Sequence, residues 1–524
     1  IGNYFCPITN YYNAITDIDM GDLMEITYSR LLYNRETNTS HSGDELYGMP
    51  IDARPTALYY NESMFKQAGI KIISVDEADM DDWNAGKIAD KNGAKKSDLG
   101  IPADHYVPKK GYYRSENPYY YNGEWTKSWV SPTNDEILVF NNRISMNWDE
   151  IEDLAMLFTG SYNPNAQTKN ESSDDRKVTD YGTTYGYFTE WWFNYGWSVG
   201  GDVVQYNGEK YDFTLTDTSK NYLATKAVTV NGKSYAAGEI IEYEDKKAAS
   251  SVDGLYELPS MYDALCEFLK LSVRTDRSVD AGMNGYGISE PDVSNVVNGL
   301  FTGNTAMGRG YFGNLPESFS QSQKLTDFDM CLSEQYREYE GGSTYQKEGK
   351  SGFANEYLKV IGKTYDGEAY TGELKKVNGT AIVGASTGAA SSSVALVIPS
   401  NSDSSLWQAS WNFISWASGK DGQTYLAESK TYIPANTSVA FSDAFLKNES
   451  VSSGYDIWVA AQNYQNYGVG DWGYFEDGSW VTNWSIDFNS KVRYGTMTVT
   501  AFSEKHSQSA ANATNAMLTR IVRK

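Results

Sequence analysis

The sequence predicts an α/β protein, because short apolar runs of strand length alternate with segments that have the periodicity of amphipathic helices. Leu58-Tyr59-Tyr60 is one such strand-like run, and a helix-like segment follows it directly. With 524 residues, 40% of them hydrophobic, the chain can bury more than one core. No run of apolar residues approaches the roughly 18 that a bilayer-spanning helix requires.

Capping residues mark three predicted helices. Asn61 can cap a short helix that Gly69 can end, because an Asn side chain accepts from the first turn and Gly tolerates a left-handed backbone. Asn147 precedes carboxylates that suit a helix N-terminus, and apolar residues recur behind them at helical spacing. Residues 406–417 repeat the helical period through Trp407, Trp411, Phe413, Ile414 and Trp416, and Gly419 is predicted to stop this helix.

Two Asn-Gly pairs predict β-hairpins, one within residues 206–211 and one within residues 228–233. Around them lie three long polar, turn-rich segments, residues 86–146, 205–256 and 327–377. Segments of that length inside a domain are usually insertions.

Composition narrows the possible partners. The net charge of −24 disfavours nucleic acid, anionic lipid and anionic ligands, so a neutral ligand is predicted. Cys6, Cys266 and Cys331 are too scattered for a disulfide framework or metal site, and Cys266 fits a core position. The histidines, His506 among them, stand in polar segments and are predicted to lie at the surface. No metal and no cofactor is predicted.

Aromatic content is the most informative part of the composition, at 14%, with 41 Tyr and 14 Trp. Tyr and Trp combine a flat apolar face with a polar edge, which suits the C–H faces of sugar rings. The alternative is that Tyr merely replaces Phe on an extracellular surface.

Six segments, in order over roughly 390 residues, resemble the family 1 extracellular solute-binding proteins, of which the maltose-binding protein is a member. They are Leu46-Tyr47-Gly48-Met49-Pro50 with the following residues to Ile70; Asn147-Trp148-Asp149-Glu150; Tyr185-Gly186-Tyr187-Phe188 through Gly200-Gly201-Asp202; Phe301-Thr302-Gly303-Asn304-Thr305-Ala306-Met307; Gly384-Ala385-Ser386-Thr387-Gly388 with Val394 to Pro399; and Trp411-Asn412-Phe413-Ile414 with Gly422 to Leu426 and Ile433-Pro434-Ala435. Each segment alone is weak, whereas six in the family's order are specific.

The resemblance implies a periplasmic-binding-protein-like fold, with two α/β lobes joined by a three-segment hinge and a ligand cleft between them. Residues 1–56 and 378–430 would form lobe 1, and residues 57–377 and 431–524 would form lobe 2 with the three insertions. The hinge crossings would fall near Ala53–Thr56, Val377 and Ser429–Ile433.

The family's opening strand and helix are not recognisable before Tyr47. We expect that the native start, including any lipoprotein cysteine, lies outside this sequence; the alternative is that the first lobe departs from the family's pattern.

The resemblance also implies the function. The chain would be the extracytoplasmic subunit of an ABC importer that captures a neutral oligosaccharide and delivers it to permease subunits. It would be a monomer, lipid-anchored at a bacterial surface in its full-length form, and not an enzyme. Two alternatives stay open, a secreted glycoside hydrolase, which needs a pair of carboxylates across a cleft, and a surface glycan-binding adhesin, which needs no hinge.

Polar ligand contacts are expected at the first hinge crossing. Arg54 falls where the maltose-binding protein has a ligand-contacting acid, and its guanidinium offers five donors that suit vicinal hydroxyls or a uronic carboxylate. Asp52 would share its face in an extended segment. A salt bridge between Asp52 and Arg54 is the alternative role, and the two roles are compatible.

Aromatic ligand contacts are expected from three further places. Residues 187, 191 and 195 form one helical stripe, which is more often core than ligand site, so about half of that cluster is expected to line the cleft. Tyr311 follows Gly308-Arg309-Gly310, where a relative carries a stacking Trp. The predicted aromatic contacts are Tyr185, Tyr187, Trp192, Tyr311, Trp472 and Tyr474.

Overall fold

A computed structural model gives the structure of the chain. It describes residues 4–14, 18–36, 43–115, 120–121, 124–125, 129–166, 182–189, 193–292, 300, 303–311, 327–339, 381–384, 391–428, 433–447, 456 and 479–522.

Within these ranges the helices are α1 (Thr9–Ala14), α2 (Glu25–Tyr28), α3 (Glu62–Gln67), α4 (Met80–Asn84), α5 (Trp148–Phe158), α6 (Phe193–Trp197), α7 (Lys246–Ala249), α8 (Met261–Ser272), α9 (Trp407–Ser418), α10 (Lys420–Glu428), α11 (Thr437–Ala440), α12 (Asp443–Leu446), α13 (Ser479–Asp487) and α14 (Val499–Val522). None of the helices in the described ranges is both long enough and apolar enough to cross a membrane.

The strands are β1 (Leu32–Tyr33), β2 (Glu45–Leu46), β3 (Met49–Pro50), β4 (Arg54–Asn61), β5 (Lys71–Ile73), β6 (Tyr112–Arg114), β7 (Tyr120–Tyr121), β8 (Glu124–Trp125), β9 (Leu138–Asn141), β10 (Tyr185–Phe188), β11 (Val204–Tyr206), β12 (Tyr211–Phe213), β13 (Asn221–Ala224), β14 (Val228–Val230), β15 (Lys233–Tyr235), β16 (Leu255–Leu258), β17 (Ser278–Asp280), β18 (Met283–Asn284), β19 (Thr305–Tyr311), β20 (Phe328–Cys331), β21 (Arg337–Tyr339), β22 (Ala381–Gly384), β23 (Ser391–Ser392) and β24 (Ala395–Leu396). The predicted α/β class is confirmed.

The central sheet has the strand order β10-β19-β4-β20, with β23 added at the start of β4. Strands β10 and β19 are parallel, whereas β4 runs antiparallel to β19, β20 and β23. The C-terminal ends of β10 and β19 therefore lie at the same end of the sheet as the start of β4. The two faces of β4 pack into different clusters, since Leu58 and Tyr60 join one cluster and Ala57 and Tyr59 another.

Three clusters of buried residues matter for the arrangement of the described chain. We call one of them the N-terminal core; its members are Cys6, Ile8, Ile18, Leu23, Leu46, Met49, Ile398, Trp411, Ile414 and Ala435. The large core lies around the central sheet and draws on residues between 58 and 336 and between 480 and 510. A third cluster, which includes Met24, Ala53, Tyr59 and Ile433, takes residues from both stretches of chain.

The local capping predictions are confirmed. The Asn61 side chain accepts from the Met64 N–H at 3.0 Å, and Asn147 accepts from the Glu150 N–H at 2.9 Å. Gly69 takes the left-handed backbone, with φ +80°, just after α3. Both helix starts therefore follow from one Asn side chain that satisfies a first-turn N–H.

The hairpin predictions are confirmed as well. Strands β11 and β12 pair around Asn207-Gly208, and β14 and β15 pair around Asn231-Gly232. Asn231 and Gly232 have φ of 50° and 84°, the left-handed pair that a two-residue hairpin loop needs. The β14–β15 hairpin packs into a small cluster through Val230 and Tyr235, together with Ala224, whereas Val204 and Phe213 of the β11–β12 hairpin belong to the large core.

Helix α9 is apolar on two faces. Trp411 and Ile414 are buried in the N-terminal core, whereas Phe413 and Trp416 on the opposite side are 59% and 49% exposed. The predicted stripe therefore combined two different faces of the helix.

Three predictions differ from the structure. The sequence predicts a polar insertion over residues 327–377, but Phe328–Cys331 is a buried strand of the central sheet. The prediction is wrong here because Asp327, before the strand, and Asp329, within it, interrupt a short apolar run. His506 was placed at the surface, yet it is buried on α14, where its Nε2 lies 2.9 Å from Asp487 Oδ2. The polar composition of α14 concealed that helix.

The third difference concerns residues 433–446, which were assigned to lobe 2. Ala435 lies in the N-terminal core, and its carbonyl accepts from the Met24 N–H at 3.0 Å. The carboxylate of Asp22 accepts from the N–H and hydroxyl of Ser438 at 2.8 and 2.6 Å. This segment therefore packs with the N-terminal part of the chain through Ala435 and Ser438, and its Val439 and Phe445 join the third cluster with residues of the central sheet.

Candidate functional site

Three separate passes of the chain meet just before the central sheet. The first is residues 50–55, the second residues 391–396 and the third residues 433–435. Strands β23 and β24 pair with the first pass on either side of Asp52. Ala53 donates its N–H to the Ile433 carbonyl at 2.9 Å. We call this place the three-pass junction.

The first pass contains a β-bulge. Ser392 pairs with Arg54 and Ala395 pairs with Pro50, so the first pass uses one residue more than its partner over the same span. The extra residue falls within 51–53. A bulge bends its strand and redirects the side chains beside it, and Asp52 lies at its centre.

Asp52 is almost fully buried and uses both carboxylate oxygens. Oδ1 accepts from the Val394 N–H at 2.6 Å, and Oδ2 accepts from Arg54 Nε at 2.8 Å. Burial raises the pKa of Asp52 above its ordinary value, and the bonds from Val394 and Arg54 oppose that shift. The predicted alternative of an Asp52–Arg54 salt bridge is therefore confirmed.

Arg54 remains accessible while it holds this bond. Its side chain is 30% exposed, against 2% for Asp52. A guanidinium has five N–H donors in a fixed fork, and Nε is the donor that bonds to Asp52. The pair therefore presents a partly exposed guanidinium, and the buried carboxylate of Asp52 offsets its positive charge.

Gln423 ties the junction to α10. Its Nε2 donates to the carbonyls of Ile51 and Ala417, both at 2.9 Å, and its Oε1 accepts from the Ala435 N–H at 2.7 Å. The side chain is fully buried. Sequence reasoning found Gln423 only as part of a family-like segment, because its partners are distant in the chain.

Tyr311 is the last residue of β19 and lies at the end of the sheet where β4 begins, next to the three-pass junction. It pairs with Thr56, two residues beyond Arg54, and the Ser333 hydroxyl donates to the Thr56 carbonyl at 3.3 Å. The Tyr311 side chain lies outside the described part. Its backbone position brings it close in the fold to the Arg54 end of β4.

Tyr187 is a correction to the predicted site. It is fully buried, and its hydroxyl donates to Glu334 Oε1 at 2.7 Å. Arg309 pairs with Glu334 Oε2 at 2.5 Å, with both side chains fully buried. Burial, reinforced by the charge of Glu334, raises the pKa of Tyr187 well above its ordinary value. Tyr187 therefore belongs to an internal polar cluster and presents no face to a ligand.

The remaining predicted contacts are only partly described. Tyr185 is partly exposed at the start of β10, at the end of the strand away from the junction. Trp192, Trp472 and Tyr474 lie outside the described residues. Nothing in the sequence marked Glu334, since its partners Tyr187 and Arg309 are 147 and 25 residues away.

Comparison with known proteins gives matches among solved structures alone. No protein-family model matches the chain, and no curated protein sequence matches it. A substrate-binding protein of an ABC transporter from Listeria monocytogenes, in complex with cycloalternan, is 12% identical, with a TM-score of 0.45, over 98% of this chain and 80% of its own.

Two further structures match at the same level. UgpB from Mycobacterium tuberculosis, in complex with glycerophosphocholine, is 10% identical, with a TM-score of 0.46, over 99% of this chain and 80% of its own. A maltose-bound protein of T. maritima is 10% identical, with a TM-score of 0.42, over the same shares. The chain is similar in structure to ABC solute-binding proteins.

The identities of these structures are 10–12% and their TM-scores are below 0.5, so they do not indicate what this chain binds. The features of the chain itself therefore have to indicate what it does. Those features are the three-pass junction, the Asp52–Arg54 pair and the edge formed by Thr56 and Tyr311.

Proposed function

We propose that the chain is the extracytoplasmic solute-binding subunit of an ABC importer. It captures a neutral oligosaccharide by closing two lobes around it, delivers the sugar to permease subunits in the membrane and catalyses no reaction.

The three-pass junction is the observation that carries this proposal. It stands between the N-terminal core and the large core, and the chain passes from one to the other at residues 50–55. The second crossing predicted near Val377 lies outside the described residues. A few strand-terminal residues that join two cores are the usual form of a hinge.

Lobe 1 in this proposal comprises the residues up to about 53 together with residues 391–447. Lobe 2 comprises the central sheet, the hairpin region and helices α13 and α14. The boundary after residue 447 differs from the one predicted from sequence, because Ala435 lies in the N-terminal core and Ser438 bonds to Asp22.

The proposed ligand chemistry follows from the charges at the junction. Arg54 is exposed in part and neutralised by Asp52, which favours hydroxyl acceptors over a full negative charge. The net charge of −24 works against an anionic ligand as well. Trp192, Tyr311, Trp472 and Tyr474 are the proposed stacking residues, and Tyr185, at the end of β10 away from the junction, is left out of this set.

Calorimetric titration against maltotriose, mannobiose, cellotriose and xylotriose tests the proposal. One of these sugars should bind with a Kd between nanomolar and tens of micromolar, about −6 to −12 kcal/mol. A parallel assay for new reducing ends should stay at background. Sugar cleavage at a catalytic rate would support the hydrolase alternative, and Arg54→Ala should weaken the binding.

A further inference from the structure

We infer that Asp52 is a positioning residue, which holds Arg54 to the backbone of the second chain pass and does not itself contact the sugar. This inference rests on the proposed function and reassigns one residue of the predicted site. It also sets the class of ligand, because the held guanidinium belongs to a neutral pair.

The carboxylate of Asp52 is committed on both sides. Val394 N–H lies on Oδ1 and Arg54 Nε lies on Oδ2, and the side chain is 2% exposed. A sugar hydroxyl would have to displace one of these donors to reach it. Bonds from a charged donor and a backbone N–H to a carboxylate are among the stronger ones in proteins.

The bulge explains why a side chain occupies this place. Val394 lies between the two stretches in which the second pass pairs with the first, and its carbonyl accepts from Ile51 N–H at 2.9 Å. Because the register shifts here, the Val394 N–H meets the Asp52 side chain in place of a backbone carbonyl. A bond from a backbone N–H to an ionised carboxylate is stronger than one to a neutral acceptor, so Asp52 completes the ladder at Val394.

The same carboxylate fixes the direction of Arg54. The bond to Nε holds one edge of the planar guanidinium, and a plane held at one edge has few orientations left. Asp52 and Val394 belong to proposed lobe 1 and Arg54 begins β4 of proposed lobe 2, so lobe closure would move Arg54 relative to the acceptor that holds it. The geometry couples the hinge backbone to the ligand-facing donor.

Ligand class follows from the charge balance. A solitary arginine would attract a uronic carboxylate through its full charge, whereas Asp52 lies 2.8 Å behind Arg54 and offsets that charge. The pair suits vicinal hydroxyls of an uncharged sugar. Removal of the Asp52 charge should consequently shift preference toward acidic sugars.

A double-mutant cycle separates positioning from direct contact. Wild type, Asp52→Asn, Arg54→Ala and the double variant are titrated with maltotriose, or with whichever sugar of the panel binds most tightly, and with its uronic acid analogue. Asp52→Asn should weaken neutral-sugar binding by about tenfold in the wild-type background and by about twofold at most in the Arg54→Ala background. Relative affinity for the uronic acid should rise. Equal losses in the two backgrounds would overturn the inference, since they would mean that Asp52 contacts the sugar.

Amide hydrogen exchange without ligand gives an independent readout. A peptide that covers residues 391–396 should exchange about tenfold faster in Asp52→Ala than in wild type. The control Asp253→Asn, which removes a 95% exposed carboxylate, should leave it unchanged. If Asp52→Ala does not fold, Asp52→Ser replaces it, because a hydroxymethyl group is too short to reach Val394. Unchanged exchange would overturn the inference even if sugar binding is confirmed. If none of the sugars binds, the proposed function is overturned, and the exchange result still decides the role of Asp52.

Discussion

At the scale of single residues, burial decides between the two roles that an aromatic side chain in this sequence can have. Tyr187 and Tyr311 lie on β10 and β19, two adjacent parallel strands of the same sheet. Tyr187 is enclosed, with its hydroxyl on Glu334, whereas Tyr311 ends its strand at the three-pass junction. The two residues should therefore respond differently to substitution.

Tyr187→Phe should destabilise the fold and leave binding intact. It removes a hydroxyl that donates to a buried carboxylate, which costs about 2 kcal/mol in the free energy of unfolding. Urea denaturation measures this loss, and calorimetry should show the wild-type Kd. Tyr206→Phe is the matched control, because Tyr206 is exposed. Weakened sugar binding at unchanged stability would return Tyr187 to the ligand site.

Tyr311→Ala and Trp411→Ala should have opposite effects. Loss of a stacking ring at position 311 should weaken binding by about 1–3 kcal/mol, roughly five- to a hundredfold, while the melting temperature changes little. Trp411 is fully buried in the N-terminal core, so its truncation should cost about 3–5 kcal/mol of stability without loss of affinity in the folded protein. Early melting with normal binding for Tyr311→Ala would remove it from the site.

At the scale of elements, local signals were predictable and distant pairings were not. The Asn caps of α3 and α5 and both Asn-Gly hairpins depend on neighbours within a few residues, so the sequence shows them directly. Strand β20 and helix α14 carry polar residues whose partners lie far away, such as Asp487 for His506. Their periodicity is therefore weak.

The candidate site divides in the same way. Arg54 and Asp52 could be proposed because they are two residues apart in an extended segment. Val394 and Gln423 could not, because their bonds to residues 51–52 span more than 340 positions of sequence.

The ion cluster that ties α13 to α14 should make stability depend on pH. Lys491, Lys505 and His506 bond to Asp487 and lower the pKa of its carboxyl below the ordinary value. A carboxylate with a lowered folded-state pKa stabilises the protein above its unfolded pKa of about 3.9, and the contribution disappears as pH falls through the folded value.

Asp487→Asn should accordingly melt earlier than wild type at pH 6, and the difference should shrink below about pH 4. Thermal melts across that range measure it. Asp443→Asn, which breaks an exposed pair with Lys447, should change the melting temperature little at any pH. A difference between wild type and Asp487→Asn that stays constant down to pH 2 would contradict the electrostatic role of Asp487.

At the scale of the whole molecule, the charge of −24 makes ionic strength informative. A neutral sugar bound by stacking and hydrogen bonds feels no long-range field, so its Kd should stay nearly constant between about 50 and about 500 mM salt. Titrations at both ends of that range are sufficient. A loss of about tenfold would indicate a charged ligand, with Arg54 as its partner.

Lobe closure is the central claim for the whole molecule, and small-angle X-ray scattering tests it most directly. The radius of gyration is measured without ligand and with saturating amounts of the sugar that calorimetry identifies. A compact chain of 524 residues has a radius of gyration of about 24 Å. We expect a larger radius of gyration without sugar and a decrease toward that value when sugar binds. Bound sugar with an unchanged radius would contradict closure about the three-pass junction and would favour a rigid glycan-binding adhesin.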